Sequence, residues 1–210
     1  MMRAVRMVWV MVLCVLLVPA HVAAQQRPDA LRMYREGNYD EAIRICEQEL
    51  RANPQNMDSY VVLCWALVKN GRYAEAEQRA LTARRINAND HRVIEILAEA
   101  QFYLGKNNES LALFQEFLSY VSDNAARVGN AYYFMGEIYL RQGRYQHADI
   151  ALTAAVRVEP LLFYWWMRLG FAREMTGSYK TAAAAYDRAL ALNPSAAEAR
   201  AGRERIQSHL

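Results

Sequence analysis

A glycine followed by a tyrosine recurs along this chain at a nearly fixed interval. Gly37-Asn38-Tyr39 is followed by Ala42, and Gly71-Arg72-Tyr73 by Ala76. Gly143-Arg144-Tyr145 precedes Ala148, and Gly177-Ser178-Tyr179 precedes Ala182, while Gly105 opens a weaker copy. Successive glycines lie 34 residues apart, except that Gly105 to Gly143 spans 38. A period of this length marks stacked helical hairpins, each too small to bury its own apolar face. The expected fold is therefore all-α, a solenoid, and the expected function is a surface shared by several repeats.

Within one period the pattern predicts two helices. Tyr132, Met135, Gly136 and Tyr139 recur at helical spacing before Gly143, which ends the first helix because it tolerates positive φ. Ala148, Leu152 and Ala155 share one face of the second helix, which stops at Pro160. In the next copy Trp166, Leu169 and Gly170 lie on the first helix, and Ala182, Tyr186 and Ala189 on the second, which ends at Asn193-Pro194. The four extra residues between Gly105 and Gly143 are assigned to the turn near Ser122 to Val128. Repeats are expected at about 25–56, 57–90, 91–124, 129–162 and 163–196. A capping helix with a solvated outer side follows at 195–210.

The N-terminus reads differently. Arg3 and Arg6 precede an unbroken apolar run of 12 residues, Met7 to Val18. Pro19 ends the run, and Val22-Ala23-Ala24 offers small residues for cleavage before Gln25. Residues 1–24 are expected to be a secretory signal peptide of bacterial style. A membrane anchor would need roughly 20 apolar residues. Cys14 follows the bulky Leu13, which argues against a lipoprotein signal. Cleavage loses Arg3 and Arg6 and no acid, taking the net charge from +3 to +1. A nearly neutral chain without a basic block speaks against nucleic acid as the main partner.

At this point the sequence resembles a known family. Trp166-x-x-Leu169-Gly170, Gly177-x-Tyr179-x-x-Ala182 and Pro194 are similar to the tetratricopeptide repeat. Tyr132-x-x-Met135-Gly136-x-x-Tyr139, Gly143-x-Tyr145-x-x-Ala148 and Pro160 match it more closely. The second repeat has Tyr60, Leu63, Gly71, Tyr73, Ala76 and Ala83, with Ala88 in place of the closing proline. The first has Gly37, Tyr39, Ala42 and Pro54 behind a shortened leading helix. The third is degenerate, with Asn107 for the tyrosine, Ser110 for the alanine and Ser122 for the proline. The resemblance implies a right-handed α-solenoid whose first helices line a concave groove.

The groove positions implied by the family are Leu31 and Tyr34; Val61, Trp65 and Val68; Phe102; Tyr133 and Leu140; and Tyr164, Met167 and Phe171. Glu95, Glu99, Glu137 and Glu174 stand beside them. Core positions are expected to be filled by Tyr60, Leu63, Ile94, Leu97, Tyr132, Met135, Trp166 and Leu169. Both faces of the leading helices are thus apolar, which points to partner binding or self-association. Some family members grip a terminal carboxylate with Lys and Asn. Trp65, Glu99, Glu137 and Phe171 replace those asparagines here, and the acids favour a basic or apolar segment instead.

No catalytic constellation, phosphate loop or paired-cysteine metal motif is present, and His91, His147 and His209 are scattered. The expectation is no enzyme, no cofactor and no metal. Cys46 and Cys64 stand at equal height on either side of the Pro54 turn, in inward-facing slots. A disulfide and a pair of buried thiols both fit that placement. The leading functional reading is an exported, periplasmic adaptor binding another protein of the cell envelope through the groove. The alternative is a carrier closing the same groove on a small apolar ligand.

Overall fold

The computed structural model describes residues 29–210. The signal-peptide and cleavage expectations fall on residues 1–24 and so lie outside the described residues. Eleven α-helices follow one another among the described residues: α1 (Ala30–Arg35), α2 (Tyr39–Ala52), α3 (Met57–Lys69), α4 (Tyr73–Ile86), α5 (His91–Tyr103) and α6 (Asn107–Tyr120), then α7 (Val128–Arg141), α8 (Tyr145–Val158), α9 (Phe163–Met175), α10 (Tyr179–Leu192) and α11 (Ala197–Arg205). A short 3-10 turn, Gln207–His209, closes the chain.

Each hairpin turns on its periodic glycine. Gly37, Gly71, Gly105, Gly143 and Gly177 all have φ between 69° and 81°, a region that costs other residues a Cβ clash. The amide after each glycine then returns to a carbonyl of the last helical turn, as Arg72 does to Leu67 at 2.9 Å. Between hairpins an asparagine folds the chain. The side-chain oxygens of Asn53, Asn87 and Asn193 accept from Gln55, Asn89 and Ser195 backbone N–H groups at 3.1–3.2 Å. Asp29, Asn56 and Asp90 cap the next helices by accepting from Leu31, Ser59 and Arg92.

Small residues let paired helices close up. A Cβ on Gly170 would sit 2.7 Å from the Tyr186 ring, and one on Gly202 would sit 2.4 Å from it. Tyr186 is therefore clasped between α9 and α11 and anchors a separate C-terminal apolar cluster with Ala182, Ala199 and Ile206. The main core runs unbroken from Ala30 to Ala185. Leu63, Ile94, Leu97 and Leu169 lie within it as the repeat pattern requires, but Trp166 and Tyr132 are only partly buried. The large side chain at the centre of α9 is instead Trp165, wholly buried beside Gly129 of α7.

The third repeat is less degenerate than its sequence. Ser110 fills the alanine slot completely buried, because its hydroxyl donates to the Ala98 carbonyl at 2.7 Å. What sets this repeat apart is its exit. The other inter-hairpin turns contain four residues, as in Asn53–Asn56 and Asn87–Asp90, whereas Val121–Arg127 contains seven. Helix α7 is also one residue longer than α3, α5 and α9.

Candidate functional site: the inner wall

The leading helices α1, α3, α5, α7 and α9 pack side by side and form one wall, while α2, α4, α6, α8 and α10 back them. Repeat arithmetic places Leu31, Trp65, Glu99, Glu137, Phe171 and Arg205 in one row across this wall. A second row holds Val61, Glu95, Tyr133 and Met167, and a third holds Tyr34, Val68, Phe102, Leu140 and Glu174.

The rows differ in exposure. Val61, Val68, Phe102 and Leu140 are each less than one-tenth exposed, so these four predicted groove residues belong to packing. The physical reason is visible at Phe102, whose ring is covered by Phe134 at 4.8 Å and by the Arg141 guanidinium at 3.7 Å. Leu31, Tyr34, Trp65, Tyr133, Met167 and Phe171 are half-buried, and Tyr164 is 37% exposed. Tyr103, on the last turn of α5, is exposed by 44% and stacks on Tyr73 with ring centroids 4.4 Å apart.

These rings touch one another along the wall. Tyr34 stacks on Trp65 at 5.8 Å, and Tyr133 stacks on the buried Trp165 at 5.3 Å while meeting Tyr164 edge-on at 5.5 Å. A cleft of about 530 Å³ at the first-repeat end is lined by Leu31, Val61 and Trp65, edged by Asp29, Glu49, Asp58 and Arg92. A second cleft of about 230 Å³ at the far end is lined by Met167, Phe171 and Tyr186 with Arg168, Glu198 and Arg205.

The wall acids are not free. Arg127 donates through Nε to Glu95 at 2.8 Å, and its terminal nitrogen bonds both Glu95 and Glu99. Arg168 grips Glu137 with two bonds of 2.6 and 3.0 Å. Arg205 grips Glu174 at 2.8 and 2.9 Å, and Tyr186 donates to the same carboxylate at 2.6 Å. The preference for a basic segment that unpaired glutamates would give is thus corrected. Each acid is matched from the next repeat, and selectivity falls to the apolar rings. Burial raises the Glu95 carboxyl above the usual range, opposed by Arg127 and reinforced by Glu99. The Glu174 carboxyl is lowered, chiefly by its bonds from Arg205. The sequence did hold a signal for these pairs, in arginines placed 31 or 32 residues after Glu95, Glu137 and Glu174.

Cys46 and Cys64 are both buried and stand as free thiols, so the bridge left open by the sequence is not formed. The Cys64 thiol points instead to the Ala76 carbonyl at 3.8 Å. Burial pushes both thiols up to about 12.

Among the described residues no cluster of His, Cys, Asp and Glu is placed to hold a metal ion, and no helix is long and apolar enough to cross a membrane.

Comparison with known proteins agrees with the geometry. Family models described as tetratricopeptide repeat match residues 33–100, 97–148 and 135–197. A crystal structure of MamA is similar with a TM-score of 0.68 and 20% identity, covering 81% of this chain and 98% of that one. MamA from Desulfovibrio magneticus RS-1 gives 0.68 at 19% identity, covering 80% and 93%. YrrB, described as a TPR protein with an unusual peptide-binding site, gives 0.66 at 15% identity, covering 83% and 88%. These likenesses establish the fold. The human protein O-mannosyl-transferase TMTC1 is 22% identical over 175 residues, 83% of this chain. The chain spans 20% of the length of that curated relative.

Proposed function

The chain belongs to the tetratricopeptide-repeat family, and from that premise we propose that it is an exported, periplasmic adaptor. Its inner wall holds an extended or helical segment of another envelope protein. The observation that carries this reading is the run of ring side chains from Tyr34 and Trp65 through Tyr103 and Tyr133 to Tyr164 and Phe171. They are in mutual contact or in register, and stand half-open to solvent. Rigid aromatic surface of this kind provides contact area at low entropic cost. The peptide-binding site named for YrrB supports the same use of the fold.

Compensated acids fit an apolar or mixed segment better than a strongly basic one. The carrier reading has less support, because the clefts at both ends are edged by charged side chains. The O-mannosyl-transferase activity in the name of the human relative gives no support for an enzyme, since four-fifths of that protein lies outside the match.

Export rests on Arg3, Arg6, the apolar run and Val22-Ala23-Ala24. N-terminal sequencing of the exported chain is expected to begin at or near Gln25, and a membrane-held product retaining Met1 contradicts it. For binding, Tyr103→Ala and Phe171→Ala are expected to weaken a captured partner by about 30-fold together, as loss of one aromatic anchor commonly does. The helical signal and melting should hold. Binding that survives both changes places the partner elsewhere.

A further inference from the structure

The junction between the third and fourth repeats is built unlike the others. Its turn has seven residues, Val121–Arg127, and Val121 replaces the asparagine that folds the turns at Asn53, Asn87 and Asn193. Helices α6 and α7 share less packing than any other consecutive pair. Arg127 ends the turn with φ of 70°, the only non-glycine residue with positive φ among those described. Arginine has no intrinsic preference for that conformation, so the surroundings must impose it.

The surroundings are Glu95 and Glu99. Both carboxylates are buried on α5, on the far side of the thin junction, and both bond the Arg127 guanidinium. A buried acid pair left without its cation is strongly unfavourable, so the arginine is held there as long as the acids stay buried. The side chain thereby ties the start of α7 to the first helix of the preceding repeat, bypassing α6. No other inter-hairpin turn among the described residues places an arginine inside the wall in this way.

We propose that Arg127 is a latch. It fixes the angle between two otherwise separately packed bodies, residues 29–120 and 128–210, and so sets how wide the inner wall opens. The bypassed α6–α7 contact is the hinge. This reading concerns the shape of the wall and stands whether or not the wall binds a protein segment. Hinges are commonly a few residues at element ends that absorb the backbone change.

The test is the distance between spin labels on exposed positions of the two bodies, Gln78→Cys on α4 and Lys180→Cys on α10, measured in the full chain. The native thiols are buried and do not compete for label in the folded protein. Arg127→Met is expected to broaden the distance distribution by about twofold, as release of a hinge contact should. Arg127→Lys should restore part of the narrow distribution, since one charge returns without the fork. Arg84→Met removes an ion pair to Glu116 inside the first body and should leave the distribution unchanged. If Arg127→Met fails to fold, the triple variant Glu95→Gln, Glu99→Gln, Arg127→Met removes the stranded charges and should fold with the broad distribution. A wild-type distribution in a folded Arg127→Met or triple variant overturns the latch. Equal broadening in Arg84→Met overturns it too.

Discussion

Two turns in this molecule do the same job by different physics. Between the second and third repeats, four residues suffice: Asn87 folds the turn by accepting from Asn89, and Asp90 caps α5. Backbone and short polar side chains satisfy one another locally, and the helices meet through apolar surface. Between the third and fourth repeats the turn is longer and has no such asparagine. Register there is held by Arg127 reaching back to Glu95 and Glu99. A regular junction spreads its stability over many small contacts, whereas the odd one concentrates it in a single guanidinium.

That contrast orders the expected effects of mutation. Arg127→Met strands two buried carboxylates and should cost about 3 kcal/mol, the low end for breaking a buried pair because the arginine is partly open. Chemical denaturation measures it, and a loss near zero would mean that the acids find other partners. At the regular junction Asn87→Ala should cost about 1 kcal/mol, the ordinary value for one local side-chain-to-backbone bond. A loss there equal to that of Arg127→Met would erase the comparison.

A smaller effect separates the junctions by pH. The folded-state pKa of Glu95 is raised, so the stability this group contributes is complete below the unfolded carboxylate value and is lost as pH rises through the folded value. Arg127, Glu99, Lys69 and Tyr34 face it or act on it. The difference in stability between wild type and Glu95→Gln should therefore move against the wild type as pH rises above the ordinary carboxylate range. A flat difference would show that Arg127 offsets burial fully. Smallest of all should be the thiol response. Cys46 and Cys64, pushed up to about 12, should resist alkylation at neutral pH while folded and react as two thiols once unfolded. Finding no thiols after unfolding without reductant would mean the bridge forms.

Much of the architecture was legible because it rests on spacing. Five glycines at one interval, and the apolar periodicity around them, dictate where chains turn and which faces meet. Other features depend on contacts that spacing does not reveal. Val61, Val68, Phe102 and Leu140 have groove register yet are covered by their neighbours, which depends on how tightly adjacent leading helices pack. Trp165 takes the central place expected of Trp166 because Gly129 of α7 leaves room for an indole there. Ser110 looks like a defect until its hydroxyl finds the Ala98 carbonyl. The glutamates of the wall read as free charge because their partners come from the following repeat.

The central claim is that the inner wall, and not the outer layer of helices, receives a partner. It is tested most directly by placing a photo-cross-linking amino acid at Tyr103 on the wall or at Ile150, 72% exposed on α8 of the outer layer, and irradiating cells that export the chain. The account predicts a discrete adduct with another envelope protein from position 103, lost on adding Phe171→Ala, and none from position 150. Adducts from position 150 with none from position 103 would contradict it.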